Sequence, residues 1–285
     1  DEDGSITFHV TVPAAGLYGL QLDFVSENKR GASVERKIKI NGEYPHKEAE
    51  SLVFNRLYRD DPDGKGKTDV QGNDIRPSQL EVKQWQDDGF IRDSQGYYIT
   101  PLLFYFKEGD NTITFEATSE PLTIANLRLA NEEARPSYAE LQETYRQQGY
   151  TAAGTAPIII QGEDAALKSP TTVPYEKNKQ KLNAIGGYRW QNPRQFIIWN
   201  FHVEKAGLYT ISMKARQNVT RGVKSNRAVY IDGVIPCKEL EDYQVAFDSK
   251  WQMLELGGGD GAFQLYLTAG EHELKMEVTL GEMAG

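Results

Sequence analysis

The feature that most constrains this 285-residue chain is an internal repeat at a fixed spacing. Segment 203–233 repeats the layout of segment 12–42. Equivalent residues, such as Tyr18 and Tyr209 or Gly42 and Gly233, are 191 positions apart in the sequence. Many identities without a gap make two copies of one module the simplest explanation. The identical pairs in this register are Ile6/Ile197, Val12/Val203, Ala15/Ala206, Gly16/Gly207, Leu17/Leu208, Arg30/Arg221, Gly31/Gly222, Arg36/Arg227, Ile40/Ile231, Pro45/Pro236, Lys47/Lys238, Glu48/Glu239 and Glu50/Glu241.

Within each copy the hydrophobic pattern is that of paired β-strands. Apolar residues alternate with polar ones over 6–12 and again over 18–24, with a Pro-Ala-Ala-Gly turn between them, and segment 197–213 repeats this. The dipeptides Asn41-Gly42 and Asp232-Gly233 are typical of two-residue hairpin turns. Short alternating strands with little helix predict an all-β fold of two β-sandwiches.

The repeat also predicts the domain boundaries. Module 1 spans 1–131 and lacks an opening strand that module 2 has. It also carries a long loop in 51–84. Trp85 and Trp251 are only 166 positions apart, whereas the repeat spacing is 191, so module 1 has 191 − 166 = 25 extra residues before Trp85. Segment 132–157 is expected to be a linker with one short helix at 136–148, where Pro136 suits a first turn and Gly149 a C-terminal cap. Module 2 spans 158–285.

Charge and composition exclude several classes of function. A formal net charge of −9 argues against a nucleic-acid partner. No apolar run approaches the ~18–20 residues of a membrane span, so direct membrane insertion is not expected. Because the chain begins at Asp1 without Met, we expect a processed segment of a larger parent chain. The single Cys237 rules out a disulfide within the chain.

Three motifs of module 2 resemble carbohydrate-binding modules of families 6 and 35. They are the opening I-Q-G-E-D-A at Ile160–Ala165, the run W-x-F-x-V-x-x-A-G-L-Y at Trp199–Tyr209, and T-A-G-E-H-E-L at Thr268–Leu274. This resemblance covers nearly all of module 2 and residues 6–129 of module 1. It implies a galactose-binding-like jelly roll that binds sugars through loops at one end of the sandwich.

The tandem pair also resembles a region of long extracellular solute-binding proteins of Gram-positive sugar ABC transporters. That resemblance implies an extracellular or cell-surface location, with the transport-type binding domain outside this chain. The strings that carry it stand at 16–18, 51–56, 72–77, 103–106, 214–222, 250–258 and 276–282.

Sugar sites use flat aromatic faces together with a few polar groups, and both modules offer candidates. Burial of the Trp side chains in packing is the alternative in module 2, and a purely structural loop is the alternative in module 1. Trp199 alternates with core residues and is expected in the core. The candidates are Tyr188, Trp190, Trp251, Arg216 and Asn218 in module 2, and Trp85, Tyr97 and Tyr98 in module 1.

A structural Ca²⁺ ion is a further expectation from the family resemblance. The carboxylate that binds it in the opening strand corresponds to Glu163, although Gln161 stands where the family motif has its first Glu. The acidic loop Asp60–Gly64 offers clustered oxygens without full calcium-loop spacing, so a solvated loop is its alternative. No His pair has zinc-ligand spacing.

The recurring arginines are expected to have a shared structural role, such as bridging a carboxylate inside each sandwich, with ligand contact as the alternative. They are Arg30/Arg221 and Arg36/Arg227.

No sequence motif supports catalysis. A nucleophile elbow, a Cys/His constellation and a phosphate loop are all missing from the sequence, and Glu239 and Glu241 are expected to be solvated charges. We therefore expect non-catalytic binding of an oligo- or polysaccharide. The alternative is a structural or docking role within a transporter-binding protein or glycoside hydrolase, without sugar affinity.

Overall fold

The computed structural model describes residues 4–27, 31–170, 181–259 and 261–281, apart from the side chain of Asp88. The prediction for Arg30 lies outside these residues. Within them the regular structure is strand, with one α-helix and four short 3₁₀ turns, which confirms the all-β class. The elements are β1 Ser5–Val12, β2 Gly16–Ser26, β3 Val34–Ile40, β4 Leu52–Phe54, β5 Leu57–Asp60, β6 Gln79–Val82, β7 Gln86–Phe90, β8 Leu103–Phe106, β9 Gly109–Ser119, β10 Leu122–Ala130, α1 Tyr138–Gln147, β11 Leu167–Lys168, β12 Phe196–Val203, β13 Gly207–Thr210, β14 Ser212–Ala215, β15 Ser225–Ile231, β16 Tyr243–Val245, β17 Gln252–Glu255, β18 Gly257–Gly258, β19 Gly261–Ala262, β20 Gln264–Leu267 and β21 Gly270–Thr279.

Residues up to 58 and 80–133 form a first compact unit, which has two antiparallel sheets. One sheet has the order β1-β9-β3-β4, and the other has β10-β2-β7 with β8 also paired to β2. Period-two alternation sends Leu20, Leu22 and Phe24 of β2 inward, where they meet residues of the opposite sheet in one hydrophobic core. Phe24 and Phe54 make an edge contact across this core, with ring centroids 5.1 Å apart. Removal of these side chains from water stabilises the sandwich.

Residues 59–79 and 134–281 form the second unit. Its main sheet contains the strands β16-β15-β21-β12-β11 in that order. Two-stranded ladders β13-β20, β14-β17 and β18-β19 complete it, around a core that includes Trp199 and Leu265. Trp199 is therefore a core residue, as its alternation predicts.

The two copies pair their strands in the same register. Ile6 pairs with Phe115 in the first unit and Ile197 pairs with Met276 in the second, so the partners are offset by 197 − 6 = 191 and 276 − 115 = 161. The partners Ile40 and Ile113, and Ile231 and Leu274, repeat both offsets. The sequence repeat is thus also a repeat of strand pairing.

Both predicted hairpin turns are present. Asn41 and Gly42 have φ of 53° and 89°, and Asp232 and Gly233 have φ of 50° and 80°. Positive φ at both central residues defines a type I′ turn, whose twist matches the flanking strands.

The predicted helix is present as α1, but it belongs to the second unit. Ser137 and Glu140 form a capping box at its start, and Gly149 follows its end with φ of 71°. Tyr138 stacks on Phe263 with ring centroids 4.1 Å apart. No helix in the described ranges is both long and apolar enough to cross a membrane.

The inserted segment 59–79 belongs to the second unit, whereas the sequence repeat assigns it to module 1. Asp60 forms an ion pair with Lys168, whose side chain is fully buried, and Lys65 pairs with Asp164 at 2.6 Å. Asp74 accepts a hydrogen bond from the Leu182 backbone N–H at 2.9 Å. These long-range ion pairs anchor the insertion in the second unit.

Candidate functional site

An exposed ribbon in the second unit brings together two of the predicted sugar-binding residues. Lys214 pairs with Met253 and Ala215 with Gln252, so Arg216 and Trp251 follow at the end of the β14-β17 ladder. The guanidinium carbon of Arg216 lies 4.8 Å from the Trp251 ring centroid, which is cation–π distance. We call Arg216, Trp251 and Met253 the Trp251 platform.

The Trp251 platform faces solvent. Trp251 is 43% exposed and Met253 is 71% exposed, which are high values for large apolar side chains. Their alternation along the strand puts them on one face, opposite the buried Leu256. Arg216 supports one side of the indole and offers hydrogen-bond donors beside it. The arrangement is an amphipathic surface with a flat aromatic group.

The neighbouring loop, which carries Asn218, is fixed by Gln217. The Gln217 side-chain amide donates to the carbonyl oxygens of Thr220 at 3.0 Å and Val223 at 2.6 Å, and its oxygen accepts from the Val219 N–H at 2.9 Å. This network holds the exposed Asn218 in an ordered loop beside Arg216.

The first unit has an exposed Trp at the equivalent place. Trp85 directly precedes β7 as Trp251 precedes β17, and it is 54% exposed. Phe24 pairs with Gln86 and Ala215 with Gln252, so the partners keep the offsets 215 − 24 = 191 and 252 − 86 = 166. The equivalence of the two Trp residues is therefore structural as well as sequential.

The polar surroundings of the two Trp residues differ. In the first unit Arg128 of β10 pairs with Asp23 at 3.2 Å, and the Asn126 amide donates to the same carboxylate at 2.6 Å. Asp23 stands where the second unit has Lys214 (214 − 23 = 191). The two faces therefore present different charges beside a common aromatic group.

Tyr97 and Tyr98 lie exposed in a loop of the first unit that a buried Asp93 organises. The Asp93 carboxylate accepts backbone N–H groups of Gln95 at 3.0 Å and Tyr97 at 2.7 Å. Sequence reasoning missed Asp93, although Asp-Ser-Gln-Gly at 93–96 is a recognisable Asx-turn signal. The turn presents both tyrosines to solvent.

Tyr188 and Trp190 lie at a different place in the second unit, around the 3₁₀ turn Gly187–Arg189. Tyr188 is exposed, whereas Trp190 is partly buried against the core. The Trp190 indole N–H donates to the Gln195 carbonyl at 3.2 Å, and the Arg227 guanidinium lies 4.1 Å from its ring centroid. The Gln195 carbonyl thus occupies the N–H edge of the Trp190 indole, and the Arg227 guanidinium covers one face of the ring.

Of the recurring arginines, Arg36 and Arg227 bind carbonyl oxygens where the sequence suggested a carboxylate, and Arg221 lies 5.7 Å from the Phe247 ring centroid. Arg36 donates to Ser119 O at 3.0 Å, and Arg227 donates to Trp190 O at 3.0 Å. Burial lowers the pKa of Arg227 to about 10. Arg36 and Arg227 occupy equivalent positions in the two units. Arg36 binds the end of a strand and Arg227 binds a loop, so both have a structural role.

No group of three or more His, Cys, Asp or Glu side chains suitable for a metal ion occurs in the described part of the chain. The predicted ligand Glu163 is partly exposed, and the neighbouring Asp164 pairs with Lys65. In the acidic loop, Asp60 is bound to Lys168 and Asp61 accepts the Asp63 N–H at 3.0 Å. The calcium site remains a prediction.

The only thiol is buried. Burial raises the pKa of Cys237 to about 12, with further contributions from the charge and hydrogen bond of Glu239. The side chain is therefore protonated and packed at neutral pH.

Fold and surface together define an all-β protein region made of two repeated sandwich copies. No family model matches the chain, and no curated protein matches it. Among solved structures, it is similar to a cycloisomaltooligosaccharide glucanotransferase of Paenibacillus sp. in complex with cycloisomaltoheptaose, at 13% identity and a TM-score of 0.27. The match covers 95% of this chain and 40% of that chain, so this chain spans less than half of the enzyme's length.

Proposed function

We propose that the chain is a non-catalytic carbohydrate-binding region, and that the Trp251 platform and Trp85 are its contact surfaces. The observation that carries this proposal is the recurrence of an exposed Trp at the same register position in both units. An exposed indole costs free energy in water, so two equivalent ones favour a ligand with a complementary flat apolar face.

A sugar ring supplies that face. The C–H face of a pyranose covers an indole, while its hydroxyl groups accept and donate hydrogen bonds at the rim. Arg216 and Asn218 supply donors next to Trp251, and Arg128 and Asp23 supply polar groups on the outer side of the first unit. Tyr97, Tyr98 and Tyr188 extend the set of exposed aromatic residues.

The proposal also covers the location of the protein and its place within a larger chain. The chain acts outside the cell or at its surface, within a larger protein, as the resemblance to transporter-associated and carbohydrate-binding modules implies. A structural Ca²⁺ ion at Glu163 is included as an accessory feature, testable by calorimetric titration with CaCl₂.

The four Trp residues allow a direct test. Trp85 and Trp251 are exposed whereas Trp199 is buried and Trp190 partly so, and iodide should quench the exposed pair preferentially. A panel of soluble oligosaccharides should contain one that protects against this quenching. Trp251→Ala together with Trp85→Ala removes both quenched fluorophores, so binding by this variant is measured by isothermal titration instead. It should be at least about tenfold weaker, since burial of a large apolar side chain contributes ~1.5–3 kcal/mol.

Circular dichroism of the double variant should match that of the original chain, because neither Trp is in a core. Val70→Ser, which changes a 96% exposed apolar side chain outside the Trp251 platform and leaves both indoles, is the matched control and should keep most of the protection. If no glycan protects the folded chain, the proposal fails. That result would favour the alternative, a structural or docking role without sugar affinity.

A further inference from the structure

In the second unit, α1 begins against two carboxylates of the sandwich. Arg135 pairs with Glu241 at 2.7 Å, and the Tyr138 backbone N–H donates to both carboxylate oxygens of Glu239, at 3.0 and 2.9 Å. A carboxylate at a helix N-terminus is stabilised by the unpaired N–H groups and by the helix dipole. This part of the sandwich therefore recognises an arginine followed by the start of a helix.

The residues after α1 cover the outer face of the β13-β20 ladder. Tyr150 stacks on Tyr266 with ring centroids 3.7 Å apart and an interplanar angle of 11°. The Leu208 N–H donates to Thr151 O at 2.9 Å. A Cβ atom on Gly207 would lie 2.8 Å from the Ala153 backbone, so only glycine permits this approach. We call Gly207, Leu208, Glu239, Glu241 and Tyr266 the helix seat.

The first unit carries the same five residue types at the equivalent positions. Offsets of 191 and, for the tyrosine, 266 − 105 = 161 relate the two sets, in agreement with the strand registers. The pairs are Gly207/Gly16, Leu208/Leu17, Glu239/Glu48, Glu241/Glu50 and Tyr266/Tyr105.

In the first unit the apolar part of this seat is exposed, while the Glu48 carboxylate lies 3.2 Å from His46 Nδ1. Leu17 and Tyr105 pair across the β2-β8 ladder and are 52% and 60% exposed, and the neighbouring Leu103 is 45% exposed. A Cβ atom on Gly16 would meet only Tyr18, at 3.7 Å. The exposed Leu17 and Tyr105 and a glycine with free space above it are what the second unit would show without residues 135–153. Leu103 adds an apolar side chain where the second unit has Gln264.

We infer that this face of the first unit is a docking seat for a protein segment built like residues 135–153. Such a segment has an arginine, a helix of two to three turns that starts three residues later, and a tyrosine followed by extended backbone. The arginine pairs with Glu50, the helix start lies on Glu48, and the tyrosine stacks on Tyr105. The extended residues pass over Gly16.

A labelled synthetic peptide with the sequence of residues 133–154 tests this inference on the intact chain. The tethered copy holds the second seat at an effective concentration in the ~mM range, so added peptide reports on the first. Fluorescence anisotropy should show saturable binding. Tyr105→Ser and Gly16→Ala should each weaken it at least about tenfold, equivalent to ~1.4 kcal/mol, and Ser5→Ala on the other sheet should not.

A charge exchange gives the sharper arm of the same experiment. Glu50→Arg should weaken binding, and a peptide with Arg135→Glu should restore it on that variant. Failure to bind at up to about 1 mM peptide, or equal binding to all variants, would overturn the inference. Dimers of the unmodified chain that Tyr105→Ser dissociates would assign the seat to a second copy and overturn the assigned occupant. Glycan binding is measured separately, so the proposed function does not depend on this result.

Discussion

At the scale of the residue, one position of the repeat has a neutral pair in the first unit and an ion pair in the second. In the first unit the Asn41 amide donates to Asn111 at 2.9 Å, and Asn111 donates to Lys107 O at 2.8 Å. In the second unit His272 takes the place of Asn111, since 272 − 111 is 161, and lies between Asp232 and the Thr268 carbonyl at 2.7 and 2.9 Å.

Both neighbours of His272 are acceptors, so both ring nitrogens donate only when the ring is charged. Burial would lower the pKa of His272, but the hydrogen bonds to Thr268 and Asp232 and the negative charge of Asp232, with that of Glu271, raise it above its ordinary value. A raised folded-state pKa adds stability that is complete below the unfolded pKa of about 6.5 and is lost as pH rises through the folded value.

We therefore expect the unfolding free energy of the second unit to fall as pH rises from about 5.5 to about 8.5 because of this residue. His272→Asn with Asp232→Asn recreates the pair of the first unit and should remove that part of the pH dependence. Urea unfolding followed by Trp fluorescence at both pH values measures it, with the other three histidines present in both proteins. An unchanged slope in the double variant would contradict the account.

At the scale of the element, the contacts of the insertion include one buried ion pair, between Asp60 and Lys168. Burial lowers the pKa of Lys168, while the hydrogen bond and charge of Asp60 oppose that shift. Loss of one partner from a buried pair leaves an uncompensated charge, which costs more than loss of both.

Asp60→Asn should consequently lower the unfolding free energy of the second unit by about 3 kcal/mol. Asp60→Asn combined with Lys168→Met should recover most of that loss, because no charge then remains buried. Urea unfolding of the single and double variants measures both effects. A single variant as stable as the original chain would show that the pair does not anchor the insertion.

The sequence predicted the strands and turns better than the contacts between distant parts of the chain. The alternation in β2 and the Asn41-Gly42 turn could be predicted because both depend on local backbone geometry. The assignment of the insertion could not, since Lys168 and Asp60 are 108 residues apart and a buried lysine has no local signature. The exposure of Trp251 likewise depends on which sheet face remains uncovered, which the strand pattern does not specify.

At the scale of the whole molecule, two copies of one sandwich carry one exposed Trp each at the same register position. Duplication of a module that retains a surface residue doubles the number of sites, while the residues around each site diverge. For example, Arg216 lies beside Trp251, whereas the first unit has Val25 at the position of Arg216. We accordingly expect two sites of unequal affinity in one chain. Linkage of two weak sites raises the avidity for a polysaccharide that spans both.

The most direct test is isothermal titration of the chain with the oligosaccharide that protects its Trp residues from quenching. We predict two ligands per chain, one site lost in Trp251→Ala, the other lost in Trp85→Ala, and neither variant altered in circular dichroism. Binding heat that survives intact in the double variant would contradict the assignment of these surfaces.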